Sequence, residues 1–421
     1  MNALPARPSG RNAPTGDLPF AQALQRMLDA VRPLDAVERV SLRAASGRIL
    51  AADAASPYDV PPHDNAAMDG YALRAADLPA ETERRIALHL TGQVLAGPVG
   101  GATVAPGECI RITTGAAMPP GADTVVMQEE VEVGDGRIVV SGGHVVGENI
   151  RRAGEDLARG AVVLARGRRL LPADIGLLAA IGLTETDVVR RPRVALLSTG
   201  DELRGLGERL RAGEIHDSNR YALLAALGRL GVDAHDLGTV EDRPEALRAV
   251  LAEAAAGYDA VVSSGGVSAG DADHTRGVLA ELGEVDFWRV AIRPGRPLAF
   301  GRLGGALFFG LPGNPVAALV IFYQLVLPTL ERLSGTEPRV RRRQRARALA
   351  AMRKSPGRTE FQRGVLSTAD DGSLCVALTG AQGSGLLHSM SRADCFVVLD
   401  EARGPVEAGE WVTVEPFADF V

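Results

Sequence analysis

The chain has 421 residues, 46% apolar and 23% charged, with a formal net charge of −6. That length calls for roughly two to four domains, and the acidic balance gives no support to a general nucleic-acid or anionic-membrane role. Aromatic residues make up only 4% of the chain, so the expected cores are small-residue helix and sheet layers rather than aromatic clusters.

Residues 1–16, rich in Pro, Gly, Asn and Arg, read as a disordered tail. From Asp17 onward Phe20, Leu24, Met27, Leu28 and Val31 share one helical face, with Asp17 as the expected N-cap. Residues 56–145 change character. Short runs (86–90, 108–112, 124–127, 137–140) rich in β-branched residues alternate with Gly and Pro turns and predict a β-rich domain. Residues 17–55 and 146–190 flank it as an extended helical or linker domain, with a helix predicted over 172–181. From residue 191 to 332 strands and helices alternate: 194–197, a helix over 220–230, a strand over 237–240, a helix over 244–256 and strands at 260–262 and 306–309. That alternation predicts a doubly wound parallel sheet, whose ligands bind beyond the carboxyl ends of the strands. Residues 333–421 predict a small β domain, entered through an arginine-rich stretch, 339–347, read as a linker or solvated edge strand.

Cys109, Cys375 and Cys395 lie far apart without a C-x-x-C spacing, so buried free thiols are expected rather than a zinc site or disulfides. No charged-then-apolar leader opens the chain, and the apolar stretch 316–330 contains Gln324 and Pro328 and reads as too short to cross a bilayer. A cytoplasmic location is the expectation.

The most informative segment runs from Val261 to Pro315. One strand leads into Ser263-Ser264-Gly265-Gly266-Val267-Ser268-Ala269-Gly270-Asp271-Ala272-Asp273, another into Gly310-Leu311-Pro312-Gly313-Asn314-Pro315, and both turns open helices. Glycine lets a phosphate reach the backbone, helix starts expose unpaired N–H groups, and Ser268 adds a hydroxyl. Asp271 and Asp273 can be simple helix-start acids; beside a phosphate they would instead need a divalent cation between. Asp273, the last acid of the turn, is the preferred ligand. Glu202 and Asp242 follow two other strands and join the same expected edge. Asp217, Ser218 and Asn219 read as cap residues with a secondary chance of ligand contact. Between the turns, Arg289, Arg293 and Arg296 surround the stiff Pro294-Gly295 and Pro297 backbone and suggest an oxyanion clamp. Asp69-Gly70 and Thr114 in the β domain, and Asp156 in the segment after it, stand in loops dense in special residues whose facing the sequence leaves open. His63 has no metal partner nearby.

Taken in order, Met68-Asp69-Gly70-Tyr71-Ala72, Thr114-Gly115, Asn149-Ile150-Arg151, Gly154-Glu155-Asp156, Ser198-Thr199-Gly200-Asp201-Glu202-Leu203, Asp217-Ser218-Asn219, Gly265-Gly266-Val267-Ser268, Pro294-Gly295 and Leu311-Pro312-Gly313-Asn314-Pro315 resemble the molybdopterin molybdenumtransferase (MoeA/gephyrin) family. The resemblance covers nearly the whole chain beyond the tail. It implies a multidomain α/β and β fold: a doubly wound MogA-like domain, a β-rich domain, an extended linker domain and a C-terminal β-barrel domain. It implies a transferase of molybdenum cofactor biosynthesis that binds adenylylated molybdopterin, inserts molybdate with Mg2+ assistance and releases AMP. It further implies a homodimer whose site lies between the doubly wound domain of one subunit and the β domain of the other. Molybdopterin adenylyltransferase and cofactor-receiving molybdoenzymes or chaperones are the implied partners.

Carried over by position, the family's functional residues fall on Asp69, Thr114, Asp156, Glu202, Asp242, Asp273, Pro294, Pro297 and Ser384. Departures are arginines at 289, 293 and 296 where lysines are common, Ala66 and Ala317 where serines are usual, and His63 in place of an aromatic residue. A molybdopterin adenylyltransferase, which shares the GGVS-type domain, and a non-enzymatic gephyrin-like scaffold are the alternatives.

Overall fold

The structure, a computed structural model, describes residues 17–97, 101–266 and 272–420. The chain forms two compact units, one made of Arg39–Val188 and the other of the segments before and after it.

In the larger unit a six-stranded sheet runs in the order Asp233–Val240, Arg193–Thr199, Ala260–Ser264, Ala306–Leu311, Pro297–Leu303, Gly283–Arg289. The first four strands are parallel and the last two add antiparallel pairings. Arg193–Thr199, Ala260–Ser264 and Ala306–Leu311 lack a polar face because both of their faces are covered, while the edge strand Asp233–Val240 keeps exposed polar residues. Val194, Leu196, Ala260 and Val262 point into one core with the helix Ser218–Leu230 and the run 315–333. Ala195, Leu197 and Val261 alternate into a second core with Pro244–Gly257 and Ala272–Leu282. Helices on both faces make the sheet doubly wound, as the alternating pattern predicts.

The C-terminal region closes a five-stranded barrel. Thr359–Thr368 pairs with Leu374–Leu378, which continues through Gln344–Ala348, Trp411–Pro416 and Cys395–Leu399 back to Thr359–Thr368. Ala346, Val376, Val397, Val412 and Val414 fill its interior. The outward side of the barrel wall joins the α/β core through Phe361, Phe396 and Val398.

The smaller unit holds another six-stranded sheet, ordered Thr124–Met127, Gly70–Leu73, Glu108–Ile112, Arg85–Val94, Arg137–Ser141, Val131–Gly134. Beside it, Leu50, Leu164, Leu170, Leu178 and Val188 form a separate core under the helix Pro172–Ala180. All three cysteines are buried and free.

Several expectations are corrected. Asp17 does not cap the first helix, Phe20–Asp29, which starts after Pro19 without a side-chain cap; its carboxylate is engaged by Arg289 and Arg296. The aromatic residues, though few, do cluster. Phe20, Phe361, Phe396, Phe417, Phe420 and Tyr323 form a chain of edge-on and tilted rings, centroids 4.7 to 6.4 Å apart, because a barrel wall packed on helices leaves wide gaps that only rings fill. After Thr199 the chain runs into a short strand, Leu203–Arg204, which pairs with Ile215–His216.

The arginine-rich stretch is neither a bare linker nor a solvated edge. Arg339 and Arg341 reach the fully buried Glu331, Arg343 pairs with Glu415, and Arg345 and Arg347 stack on Trp411. The helical run Pro315–Leu333 is longer than the apolar stretch read from sequence and is long and apolar enough to cross a bilayer, yet 89% of that stretch is buried within the protein. Gln324, inside it, donates to Glu415 at 2.9 Å.

Candidate active site

Because Arg193–Thr199, Ala260–Ser264 and Ala306–Leu311 are parallel, their carboxyl ends deliver three turns to one edge of the sheet. A cavity of about 850 Å³ opens there. It is lined by Thr199 to Leu203, by Ile215 to Asn219, by Asp242, by Ser264 to Gly266, and by Pro297 with Pro312 to Pro315. The expected Glu202, Asp242, Gly265, Gly266, Pro297, Pro312, Gly313 and Asn314 thus meet around one space. Ser384 sits beside it and accepts the Val316 N–H at 3.0 Å through its carbonyl, while its neighbour Gly385 lines the wall. Ser268, Gly270 and Asp271 lie outside the described residues, as does the side chain of Asp273.

Local chemistry explains the glycine turn. Gly265 has φ +92°, and a Cβ there would come within 2.3 Å of the Thr199 carbonyl oxygen. Only glycine lets this strand end lie against its neighbour. Its N–H donates to Leu311 O at 3.0 Å, which ties the first turn to the strand feeding the second. The amides of Gly266, Gly313 and Asn314 have no acceptor among the described residues, which leaves several backbone donors at the cavity for an anion.

The acids differ in what they can offer. Asp217, which caps Ser218–Leu230, is spent on the N–H and guanidinium of Arg220. Arg220 also takes both oxygens of Asp236, at 2.7 and 2.6 Å; these carboxylates raise its already high pKa further. Glu202 packs on Gly200, whose Cβ would stand 2.7 Å from Glu202 Oε2. Asp201, which sequence reasoning passed over, lines the same wall, with Asp242 N–H 3.5 Å from its Oδ1. Among the described residues no three His, Cys, Asp or Glu side chains form a ready-made metal cage. Two carboxylates at a cavity with free amides nonetheless fit Mg2+, a cation that takes one or two carboxylates and completes its shell with phosphate oxygens and water.

The arginine clamp is where the structure departs most from expectation. None of Arg289, Arg293 and Arg296 lines this cavity. Two antiparallel pairings do return the 289–297 turn to the same sheet edge, but the side chains are claimed elsewhere. Arg296 forms a two-pronged pair with Asp17 at 2.8 Å, Arg289 joins it at 3.2 Å, and these guanidiniums hold Asp17 below the usual aspartate range. Arg293 lies 3.4 Å from Glu360. With Pro294 it faces a second cavity of about 400 Å³ that also contains Glu360, Gln362 and Arg363.

Arg363 carried no signal in the sequence. It is fully buried, and its guanidinium donates to Ser389 Oγ and to the carbonyls of Gln382 and Gly383. Burial lowers its pKa to about 10, which still leaves it cationic at neutral pH. An arginine inside an apolar strand pattern, Phe361-Gln362-Arg363-Gly364, is the only hint available.

In the smaller unit, Asp69 Oδ1 accepts from the backbone N–H of Thr114 at 2.6 Å and from its hydroxyl at 2.8 Å. Those two donors lower its pKa, so two of the expected residues are one hydrogen-bonded pair. Asp156 lies on the loop that returns its N–H to Val60 O at 3.0 Å.

Comparison with known proteins covers nearly the whole chain. The MoeA N-terminal region (domain I and II) matches residues 18–182, the probable molybdopterin binding domain residues 195–332, and the MoeA C-terminal region (domain IV) residues 345–417. The molybdopterin molybdenumtransferase of Haemophilus influenzae is 42% identical over 403 residues, covering 95% of this chain and 98% of its own. That of a Nostoc species is 41% identical over 71% of this chain and 70% of its own length. The crystal structure of the molybdopterin biosynthesis moeA protein of Pyrococcus horikoshii superposes with a TM-score of 0.83 at 29% identity, over 95% of this chain and 100% of that one. Matched from end to end in sequence and in fold, the chain belongs to the molybdopterin molybdenumtransferase family, enzymes of molybdenum cofactor biosynthesis.

Proposed function

We propose that the enzyme takes adenylylated molybdopterin and molybdate, delivers molybdenum to the dithiolene and releases AMP. The cavity at the sheet edge supports this reading: backbone donors of two glycine turns and the carboxylates Glu202 and Asp242 face one space. The turns bind the phosphates by N–H donation, and their fixed geometry needs no rearrangement as charge moves to the departing phosphate. Glu202, Asp242 and Asp273 would hold Mg2+, which when bound neutralises the phosphate groups and steadies the leaving AMP. Molybdate is the second substrate, and the cavity bearing Arg293, Pro294 and Arg363 suits an oxyanion by net charge, since the guanidiniums of Arg293, Arg353 and Arg363 in its lining outnumber the single carboxylate of Glu360. Asp69, Thr114 and Asp156 are assigned to the reaction from the partner subunit of a homodimer.

The test incubates the protein with adenylylated molybdopterin, molybdate and Mg2+ and follows AMP by chromatography. AMP should appear, a chelator should suppress it, and Asp242→Asn should slow it at least roughly tenfold. A folded protein that releases none would overturn the reading. Consumption of ATP without molybdate would mark an adenylyltransferase instead, and full complementation by Asp273→Ala would mark a scaffold.

A further inference from the structure

Asn219 sits in the first turn of Ser218–Leu230, 8% exposed, with its side chain reaching two separate turns. Its Nδ2 donates to Ser264 Oγ at 2.9 Å and to the carbonyl of Gly313 at 2.8 Å. A carbonyl oxygen can only accept, so the amide nitrogen must face Gly313, which settles the orientation of the group. The two partners lie at the ends of neighbouring parallel strands, one just before Gly265 and one inside Pro312-Gly313-Asn314. A single amide therefore ties both glycine turns to the helix between them in space.

That tie does more than brace. In a trans peptide the C=O and N–H point in opposite directions. Fixing the Gly313 carbonyl on Asn219 turns the N–H of Asn314 away from the helix, and that N–H has no acceptor among the described residues. Gly313 has nothing within 4 Å of where a Cβ would stand, so packing around that position does not hold the peptide. Asn219 Oδ1 is itself buried and has no hydrogen-bond donor among the described residues, so the amide's second polar atom adds nothing to a brace within them.

We infer that Asn219 is a positioning residue of the transferase, orienting the Gly313–Asn314 peptide so that its N–H meets a phosphate oxygen of the bound substrate. The inference rests on the reading that the cavity takes a phosphorylated ligand. Asn219→Asp keeps the shape and can accept from the Ser264 hydroxyl, to which Asn219 donates, but it cannot donate to Gly313. The experiment compares wild type, Asn219→Asp and the neutral Asn219→Leu, which lacks the donor without adding a charge beside the phosphate, in three readouts: AMP binding by calorimetry, steady-state AMP release, and thermal melting.

AMP affinity should weaken and KM for adenylylated molybdopterin rise, each about tenfold, the loss of one charge-assisted hydrogen bond. The expected kcat stays within about threefold and the melting temperature within a few degrees. Unchanged KM and AMP affinity would overturn the assignment, as would a loss of kcat that follows a lowered melting temperature, the mark of a structural brace. Should the wild type release no AMP yet bind it, the proposed reaction falls, while a tenfold weaker AMP affinity in both variants still supports the positioning role. A wild type that neither releases nor binds AMP overturns both.

Discussion

Asp69 and Thr114 show what a pair of side chains can set by itself. The carboxylate is held by the Thr114 N–H first and the Thr114 hydroxyl second, and both favour its charged form, below the ordinary value of 3.8. For an acid with a depressed native pKa, the linked stabilisation is complete above the unfolded value and disappears as pH falls through the native one. Asp69 therefore stays ionised through the neutral range. Thr114→Val removes the hydroxyl and should move the Asp69 titration upward toward 3.8, read by carboxyl-carbon NMR; an unmoved titration would show that the hydroxyl contributes nothing. Gly265 makes the same point for the backbone. Gly265→Ala must relieve a 2.3 Å approach to the Thr199 carbonyl and a positive φ of 92°, so it should cost roughly 2–3 kcal/mol of stability and displace the turn. Chemical denaturation measures the first effect and AMP binding the second. The pair Asp69 and Thr114 could be singled out from the motif order, but their hydrogen bond could not, because 45 residues separate them.

At the scale of elements, the doubly wound sheet was legible because fully buried parallel strands read as uninterrupted apolar runs. The edge turns were legible too, since glycines after such runs have a geometric cause. What was not legible is how side chains on neighbouring elements divide their partners. Arg289 and Arg296 read as an anion clamp, yet the backbone pairing of Leu18 with Val290 brings Asp17 from 279 residues away to take Arg296. The arginines of 339–347 read as solvated, yet Glu331 and Glu415 wait inside for them. The aromatic seam between barrel and helices was likewise hidden by low overall content. Phe396 is fully buried against Phe361, Phe417, Phe420 and Tyr323. Phe396→Ala should destabilise the larger unit by about 3–5 kcal/mol, seen as a lower denaturant midpoint; a loss below about 1 kcal/mol would mean that the ring cluster relaxes freely.

For the whole molecule, the proposed homodimer has a specific consequence. If residues of both subunits serve one site, two inactive variants can rescue each other. Asp69→Ala and Asp242→Ala should each be inactive alone. Mixed after subunit exchange, they should regain roughly a quarter of wild-type AMP release, since half the dimers are mixed and each of those holds one intact site. No recovery despite exchange shown by mass spectrometry would place both residues in a site built from a single subunit.

By itself the sequence determined the parallel sheet, the glycine turns and the family, because these depend on apolar periodicity and on backbone positions that admit few residue types. The tertiary structure alone decided which charges remain for a ligand. Arg296 went to Asp17, Arg220 to Asp217 and Asp236, and Arg293 to the wall of a second cavity with the buried Arg363. A charged side chain takes whichever opposite charge folding brings within a few ångströms, and that distance is set by contacts between segments tens to hundreds of residues apart.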